Sequence, residues 1–428
     1  MKPTSVASPS PALSGASHSS DPPPFRQFLL KIHSRCNLAC SYCYVYEAAD
    51  TSWRSKPRVM ELETARHTAQ RIAEHAAGAG LGEVCVVLHG GEPLLAGADR
   101  LDGIIRALRA SVEGVCAVSF TLQTNGILLR DPSVLAVLRE HGVGVGVSLD
   151  GTAAAHDRDR RYADGRGSHA DTARALRILG APDNRHLFAG LLCTVDLGAD
   201  PVETYEALLD FAPPRLDLLL PHSTWQTPPP GLPDRLVPPQ APPSPRAPDP
   251  EATPYAQWLS AVFDRWYGAA QRETGIRLFE EVMALLLGGT ASSELVGLAP
   301  VDLVVVETDG SIELADSLKV SYEGAPATGM DVFRHSFADA ARHESFRSLP
   351  QGRSGLGPVC NSCPLVHTCG GGLYAHRYLP GPAEPFAHPS VYCADLSALI
   401  GHIRSRLSRD LAALRAANNA PADVSGRS

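Results

Sequence analysis

From Phe25 onward the chain alternates short apolar runs with longer stretches in which apolar side chains recur at helical spacing. The runs at 28–32, 84–88, 118–122, 143–149, 187–195 and 216–220 predict six strands. The segments between them, 61–76, 101–110, 133–140, 170–179 and 202–209, predict helices. Strands that alternate with helices run parallel and are joined by crossovers, so the pattern predicts an α/β domain, either an open doubly wound sheet or part of a barrel.

Either side of this region the pattern changes. Residues 1–24 contain seven Ser and six Pro with almost no large apolar side chains, which predicts a disordered leader. Eleven prolines between Pro228 and Pro250 predict an extended linker or surface insertion, set at 226–254. Two helices follow at 255–267 and 276–287, bridging residues 255–300. A hairpin is then expected, turning at Asp309-Gly310 between 302–306 and 311–314. The remainder, 301–428, reads as a small cysteine domain closed by a helix over 396–416.

Hydrophobic residues make up 44% of the chain and charged residues 20%, the balance of a globular protein. The net charge of −8 gives no reason to expect a nucleic-acid or anionic-membrane partner. With no apolar run long enough to span a bilayer and no signal peptide, the expected location is cytoplasmic. In that compartment the ten cysteines read as metal ligands or redox groups before disulfides.

Cys36, Cys40 and Cys43 lie in a C-x3-C-x2-C loop directly after the first strand. Three thiolates leave one position of a metal centre open, as an iron–sulfur cluster permits, whereas a structural zinc site wants four closed ligands. Three more polar motifs follow the next three strands: Gly90-Gly91-Glu92-Pro93, Gln123-Thr124-Asn125-Gly126 and Ser148-Leu149-Asp150-Gly151. All four therefore point to the carboxyl-end face, where parallel α/β folds bind ligands. The basic run at Arg158, Arg160 and Arg161 falls on the same face and could meet a carboxylate there, or be a solvated loop.

These motifs resemble those of radical S-adenosylmethionine (SAM) enzymes, which implies a partial (β/α)6 barrel over 25–225. By that resemblance Cys36, Cys40 and Cys43 ligate a [4Fe–4S] cluster and Tyr42 lies along the SAM adenine. Gly90, Gly91 and Glu92 meet its amino group, and Asn125, Ser148, Asp150 and Arg160 are further cofactor contacts. Cys360, Cys363, Cys369 and Cys393 form a second set, which resembles the SPASM domain and implies one auxiliary [4Fe–4S] cluster, with a four-cysteine zinc site as the alternative. Leu373 and Ala315 stand where a fuller cysteine set would place ligands, so one auxiliary cluster is expected rather than two. Asp316 aligns with an acidic residue that acts as a base in sulfatase-maturing relatives, which makes it the candidate general base.

Several stretches, among them Leu220-Pro221-His222-Ser223-Thr224-Trp225 and Arg277-Leu278-Phe279-Glu280-Glu281, resemble FxsB-type cyclophane-forming peptide maturases. That implies a ribosomally made precursor peptide as partner, an external low-potential electron donor, and a carbon–carbon bond formed between an aromatic ring and a Cβ. Thioether formation and sulfatase-type formylglycine maturation are the alternatives within this chemistry. A two-zinc structural or peptide-binding protein is the alternative outside it. The isolated Cys85, Cys116 and Cys193 read as small buried hydrophobes.

Overall fold

The computed structural model describes residues 23–233, 236–243, 252–349, 352–381 and 384–418. The expected leader and parts of the proline-rich stretch lie largely outside these residues.

The six anticipated strands are present as β1 (Gln27–His33), β2 (Glu83–Gly90), β3 (Ala117–Thr124), β4 (Gly144–Ser148), β5 (Phe188–Thr194) and β6 (Arg215–Leu219). They pair in parallel in sequence order, and a two-residue strand β7 (Gly275–Ile276) extends the far edge. Helices α1 (Leu62–Ala79), α2 (Ala98–Val112) and α3 (Pro132–His141) link successive strands, α4 (Ala153–Asp159) and α5 (His169–Gly180) link β4 to β5, and α6 (Pro201–Leu209) links β5 to β6. Apart from the short α4, each buries an apolar stripe in the main core. In α1 the stripe is Ala65, Ala69, Ile72 and Ala76, all buried at the three- and four-residue spacing of a helix face.

The strands alternate as two-faced strands do. On β1, Phe28, Leu30 and Ile32 are fully buried in the main core, whereas Leu29 lines the interior of the half-barrel. Lys31 belongs to the interior set by its register, opposite His89 on β2.

The hairpin forms from β8 (Leu303–Val306) and β9 (Ser311–Glu313), with β10 (Ala327–Asp331) beside it. It does not stand apart from the barrel. β8 pairs in parallel with β1, which gives one ten-stranded sheet ordered β10-β9-β8-β1-β2-β3-β4-β5-β6-β7. The apolar run 303–306 is buried on the sheet like any other central strand, and sequence proximity alone could not reveal its neighbour. The loop at Asp309 and Glu313 is thereby fixed beside the segment that follows the Cys36–Cys43 loop.

Helices α7 (Pro254–Tyr267) and α8 (Arg277–Leu286) pack with the C-terminal helix, Cys393–Asn418. The cysteine-bearing segment 360–376 is held through Arg377, whose buried guanidinium donates to the carbonyls of Gly370 (2.8 Å), Gly371 (3.1 Å) and Gly372 (2.7 Å). Gly370 has φ +64°, and a Cβ there would lie 1.6 Å from the Gly297 carbonyl oxygen, so this turn admits only glycine. Among the described residues no helix is long and apolar enough to cross a membrane.

Candidate functional site

The ends of β1 to β6 open into a cavity of about 910 Å³ lined by Cys36, Cys40 and Cys43 on one side and by Gly90, Gly91 and Asn125 on another. Ser148, Asp150 and Arg160 also line it. Burial pushes the Cys36 thiol up to about 12 and the Cys40 thiol to about 11. Desolvated thiols of this kind become thiolates only when a cation binds them, so metal loading here releases protons.

Close packing explains the glycines of the second motif. The Gly91 amide donates to the His33 carbonyl at 2.9 Å and the Glu92 amide to the Arg35 carbonyl at 3.0 Å, so the motif runs as an edge against the start of the cysteine loop. A Cβ on Gly91 would fall 1.7 Å from the Tyr46 hydroxyl and 2.6 Å from the Arg35 carbonyl carbon.

Glu92 is fully buried behind this wall. Its carboxylate accepts from the Thr124 hydroxyl (2.7 Å) and from the amides of Asn125 (2.8 Å) and Leu94 (3.0 Å). It ties the end of β2 to the end of β3, and it is Gly90 and Gly91 of this motif that face the cavity.

Tyr42, Asp150 and Arg160 form one cluster. The Tyr42 hydroxyl donates to the Asp150 carboxylate and accepts from Arg160 Nη1 at 2.9 Å. Asp150 accepts from the Thr194 amide at 3.0 Å, which ties it to the end of β5. Burial pushes the Asp150 carboxyl up, and Arg160 opposes that rise. Arg160 Nε has no partner, although it is buried. The run read from sequence as a basic loop is in part the short helix α4, and His156 within it is fully buried, meeting Ser168 Oγ at 3.0 Å. Ser168 in turn donates to the Arg160 carbonyl at 2.7 Å, so this chain of contacts sets where Arg160 stands.

Cys360, Cys363, Cys369 and Cys393 line a small separate cavity. Burial pushes Cys369 up to about 11 and Cys393 to about 12. A tetrahedral zinc holds its sulfurs about 3.8 Å apart, given Zn–S bonds of about 2.3 Å. Among the described residues no three cysteine sulfurs lie within 4.8 Å of one another; the one such ligand group is Asp102, Glu140 and His141. Four cysteines around one small cavity suit a metal centre, a cluster or a four-cysteine zinc alike.

A second cavity of about 300 Å³ adjoins the first, and the two share Tyr44, Leu219, Leu220 and His222 as walls. Asp316, Ala315, Leu373 and His376 line it. Asp316 is nearly fully buried and paired with Lys31 at 2.6 Å. Burial would push its carboxyl up, but the Lys31 and Lys319 ammonium groups outweigh that and hold it below the usual carboxylate range. The Lys31 partner escaped the sequence reading; a lysine inside the apolar run 28–32 was its one available signal.

Residues 30–206 match the Radical SAM superfamily. The serine-type anaerobic sulfatase-maturating enzyme of Klebsiella aerogenes is 37% identical over 164 residues, which cover 37% of this chain and 37% of that protein. The cysteine-type anaerobic sulfatase-maturating enzyme of Clostridium novyi is 25% identical over 307 residues, covering 68% of this chain and 74% of that protein. The matched part thus spans well under half of the first relative's length. Among solved structures, native anSMEcpe with bound AdoMet superposes with a TM-score of 0.71 at 21% identity, covering 92% of this chain and 99% of that one.

These findings correct the expected kinship with FxsB-type cyclophane-forming enzymes, and with it the expected crosslink between an aromatic ring and a Cβ: the relatives just described are sulfatase-maturating enzymes. The stretches that suggested the kinship are largely packing elements. Trp225 is buried, with Nε1 donating to the Pro389 carbonyl at 2.7 Å, and residues 277–281 open helix α8 with Leu278 and Phe279 in the core. The Trp225 contact joins the barrel to the C-terminal domain, whereas Leu220, Pro221, His222 and Ser223 of the same stretch line the large cavity. The chain has the radical SAM core fold followed by a SPASM-like domain, the architecture of a radical SAM oxidoreductase.

Proposed function

We propose that this chain is a radical SAM maturase that oxidises the Cβ of a Cys or Ser side chain in a peptide or protein to the aldehyde of formylglycine. The observation that carries this reading is the position of Asp316, a buried carboxylate beside the neck of a cavity that begins at Cys36, Cys40 and Cys43. The substrate class comes from the sulfatase-maturating relatives.

In this reading the three cysteines hold a [4Fe–4S] cluster, and Gly90, Gly91, Asn125, Ser148 and Arg160 face SAM. Cluster and SAM together supply a radical able to take a hydrogen atom from an unactivated carbon. Arg160, with its unpartnered Nε, is suited to a carboxylate. Tyr42 and Asp150 hold Arg160 in place. Once a Cβ hydrogen is gone, the side chain must still lose one proton from its hydroxyl or thiol and one electron. Asp316, kept ionised by Lys31, accepts that proton. An auxiliary cluster in the second cysteine set would supply the acceptor for that electron, an external low-potential donor would supply the one that cleaves SAM, and a thioaldehyde from Cys is hydrolysed by water. Cys360, Cys363, Cys369 and Cys393 would hold one auxiliary [4Fe–4S] cluster.

The test is anaerobic incubation of the reconstituted chain with SAM, dithionite and a synthetic peptide bearing a single Cys or Ser, with hydrazide capture of aldehyde. Aldehyde formed together with 5′-deoxyadenosine is expected. SAM cleavage without aldehyde on either peptide would remove the formylglycine reading.

A further inference from the structure

Buried polar atoms without partners are few in folded proteins, and each normally marks a place where something else supplies the hydrogen bond. Here they concentrate around the two adjoining cavities. His89 Nδ1, His222 Nδ1, both ring nitrogens of His376, both Asp316 carboxylate oxygens and Arg160 Nε are all buried without a hydrogen-bond partner. Arg160 lies in the large cavity, and Asp316 has its ion pair with Lys31. The histidines have no such account.

His222 stands in the wall common to both cavities, with its ring 4.5 Å from Tyr44 and 5.8 Å from His376. His376 is 1% exposed, lines the second cavity with Asp316, and packs 4.9 Å from the Tyr392 ring. Burial holds His222 at about 4 and His376 well below the usual histidine value, so both rings are neutral near pH 7. A neutral imidazole offers one donor and one acceptor. Two of them side by side suit a group that both gives and takes a hydrogen bond and carries no charge: a peptide amide or an alcohol. A carboxylate or phosphate would be better served at Arg160, which lines the large cavity.

We propose that His222 and His376 form a recognition subsite for the uncharged backbone amide of a substrate peptide, holding one residue of it at the neck between the two cavities, beside Asp316. The subsite deepens the maturase reading and rests on it for the choice of a peptide.

The test measures binding separately from turnover. The anaerobically reconstituted chain with SAM is titrated with a synthetic peptide bearing a single Cys, for the wild type and for His222→Phe, His376→Phe and His376→Gln. Each Phe variant should weaken peptide binding about tenfold, the loss of roughly one hydrogen bond in a dry site. SAM affinity should change far less than peptide affinity, and His376→Gln, which restores a donor and an acceptor, should recover most of the loss. His222 is only half-buried, so its variant keeps the test decisive if His376→Phe fails to fold.

Peptide affinity unchanged in the Phe variants, or no binding of the peptide by the wild type, overturns the subsite. Peptide binding that is lost in the Phe variants while the wild type makes no aldehyde keeps the subsite and removes the formylglycine reading. Aldehyde formation with unaltered affinity in the variants does the reverse.

Discussion

Lys319 offers the sharpest test of how the site is held. Its ammonium is completely buried, 3.2 Å from Asp50, 3.5 Å from Glu313 and 3.6 Å from Glu307. Lys56 pairs with Glu313 and Asp309, each at 3.1 Å. Asp50 lies just beyond the cysteine loop, whereas Glu307 and Glu313 belong to the β8–β9 hairpin, so Lys319 clamps one to the other. Lys319→Met removes the cation and leaves three buried carboxylates short of a partner. Breaking a buried pair on one side costs about 3–5 kcal/mol. With a urea slope of about 3 kcal/mol/M, the unfolding midpoint of the metal-free protein should fall by about 1–1.7 M.

The pH dependence gives a second check on Lys319. Burial tends to raise Asp50, but hydrogen bonds from Ser52 and the Gly324 amide together with Lys319 hold it below its ordinary value. Its stabilisation is therefore present above about pH 4 and fades as pH falls through the folded value. Without Lys319 burial raises Asp50 and lifts the already raised Glu313 further, so the variant gains stability as pH falls and they protonate. Both trends narrow the difference between wild type and variant in acid. Urea unfolding at pH 8 and pH 5 should show the larger deficit at pH 8. A deficit under about 1 kcal/mol at pH 8, or one that does not shrink by pH 5, would refute the picture of a dry, charged clamp.

Other outcomes follow from the same geometry. Asp316→Asn should cut aldehyde formation by about 10²- to 10⁴-fold, with a much smaller effect on SAM cleavage, as read by product ratios; equal losses in both would point to a structural role instead. Gly91→Ala should displace the cysteine loop, because its Cβ would overlap the Tyr46 hydroxyl and the Arg35 carbonyl, and SAM binding should weaken at least tenfold by titration. In the anaerobically reconstituted chain, changing Cys36, Cys40 and Cys43 together to Ala should lower iron from about eight to about four atoms, with the remainder lost on changing Cys393 and its companions. Zinc in place of iron in the wild type would remove the cluster assignment.

Much of the candidate site was legible because its parts are local. A loop of three cysteines after one strand and a Gly-Gly-Glu-Pro turn after the next declare both a chemistry and a face of the sheet, since parallel strands put their carboxyl ends together. The fold could be read that far. The product could not: residues 220–223 line the large cavity, but the same wall can serve any reaction begun there. Lys31 and Lys319 were hidden: each gains its meaning from residues distant in the chain, and its isolated position looks like ordinary core or surface.

The sequence by itself determined the alternation of strand and helix, the two cysteine sets and the order of the strand-end motifs, all of which depend on period, spacing and short-range chemistry. Only the tertiary structure decided that β8 lies beside β1, that Glu92 turns inward to join β2 and β3, and that Asp316 meets Lys31 at 2.6 Å. The physical reason is that strand pairing and buried charge are matched across space. An apolar run requires a neighbour on each side without saying which, and a buried charge requires a partner without giving its address.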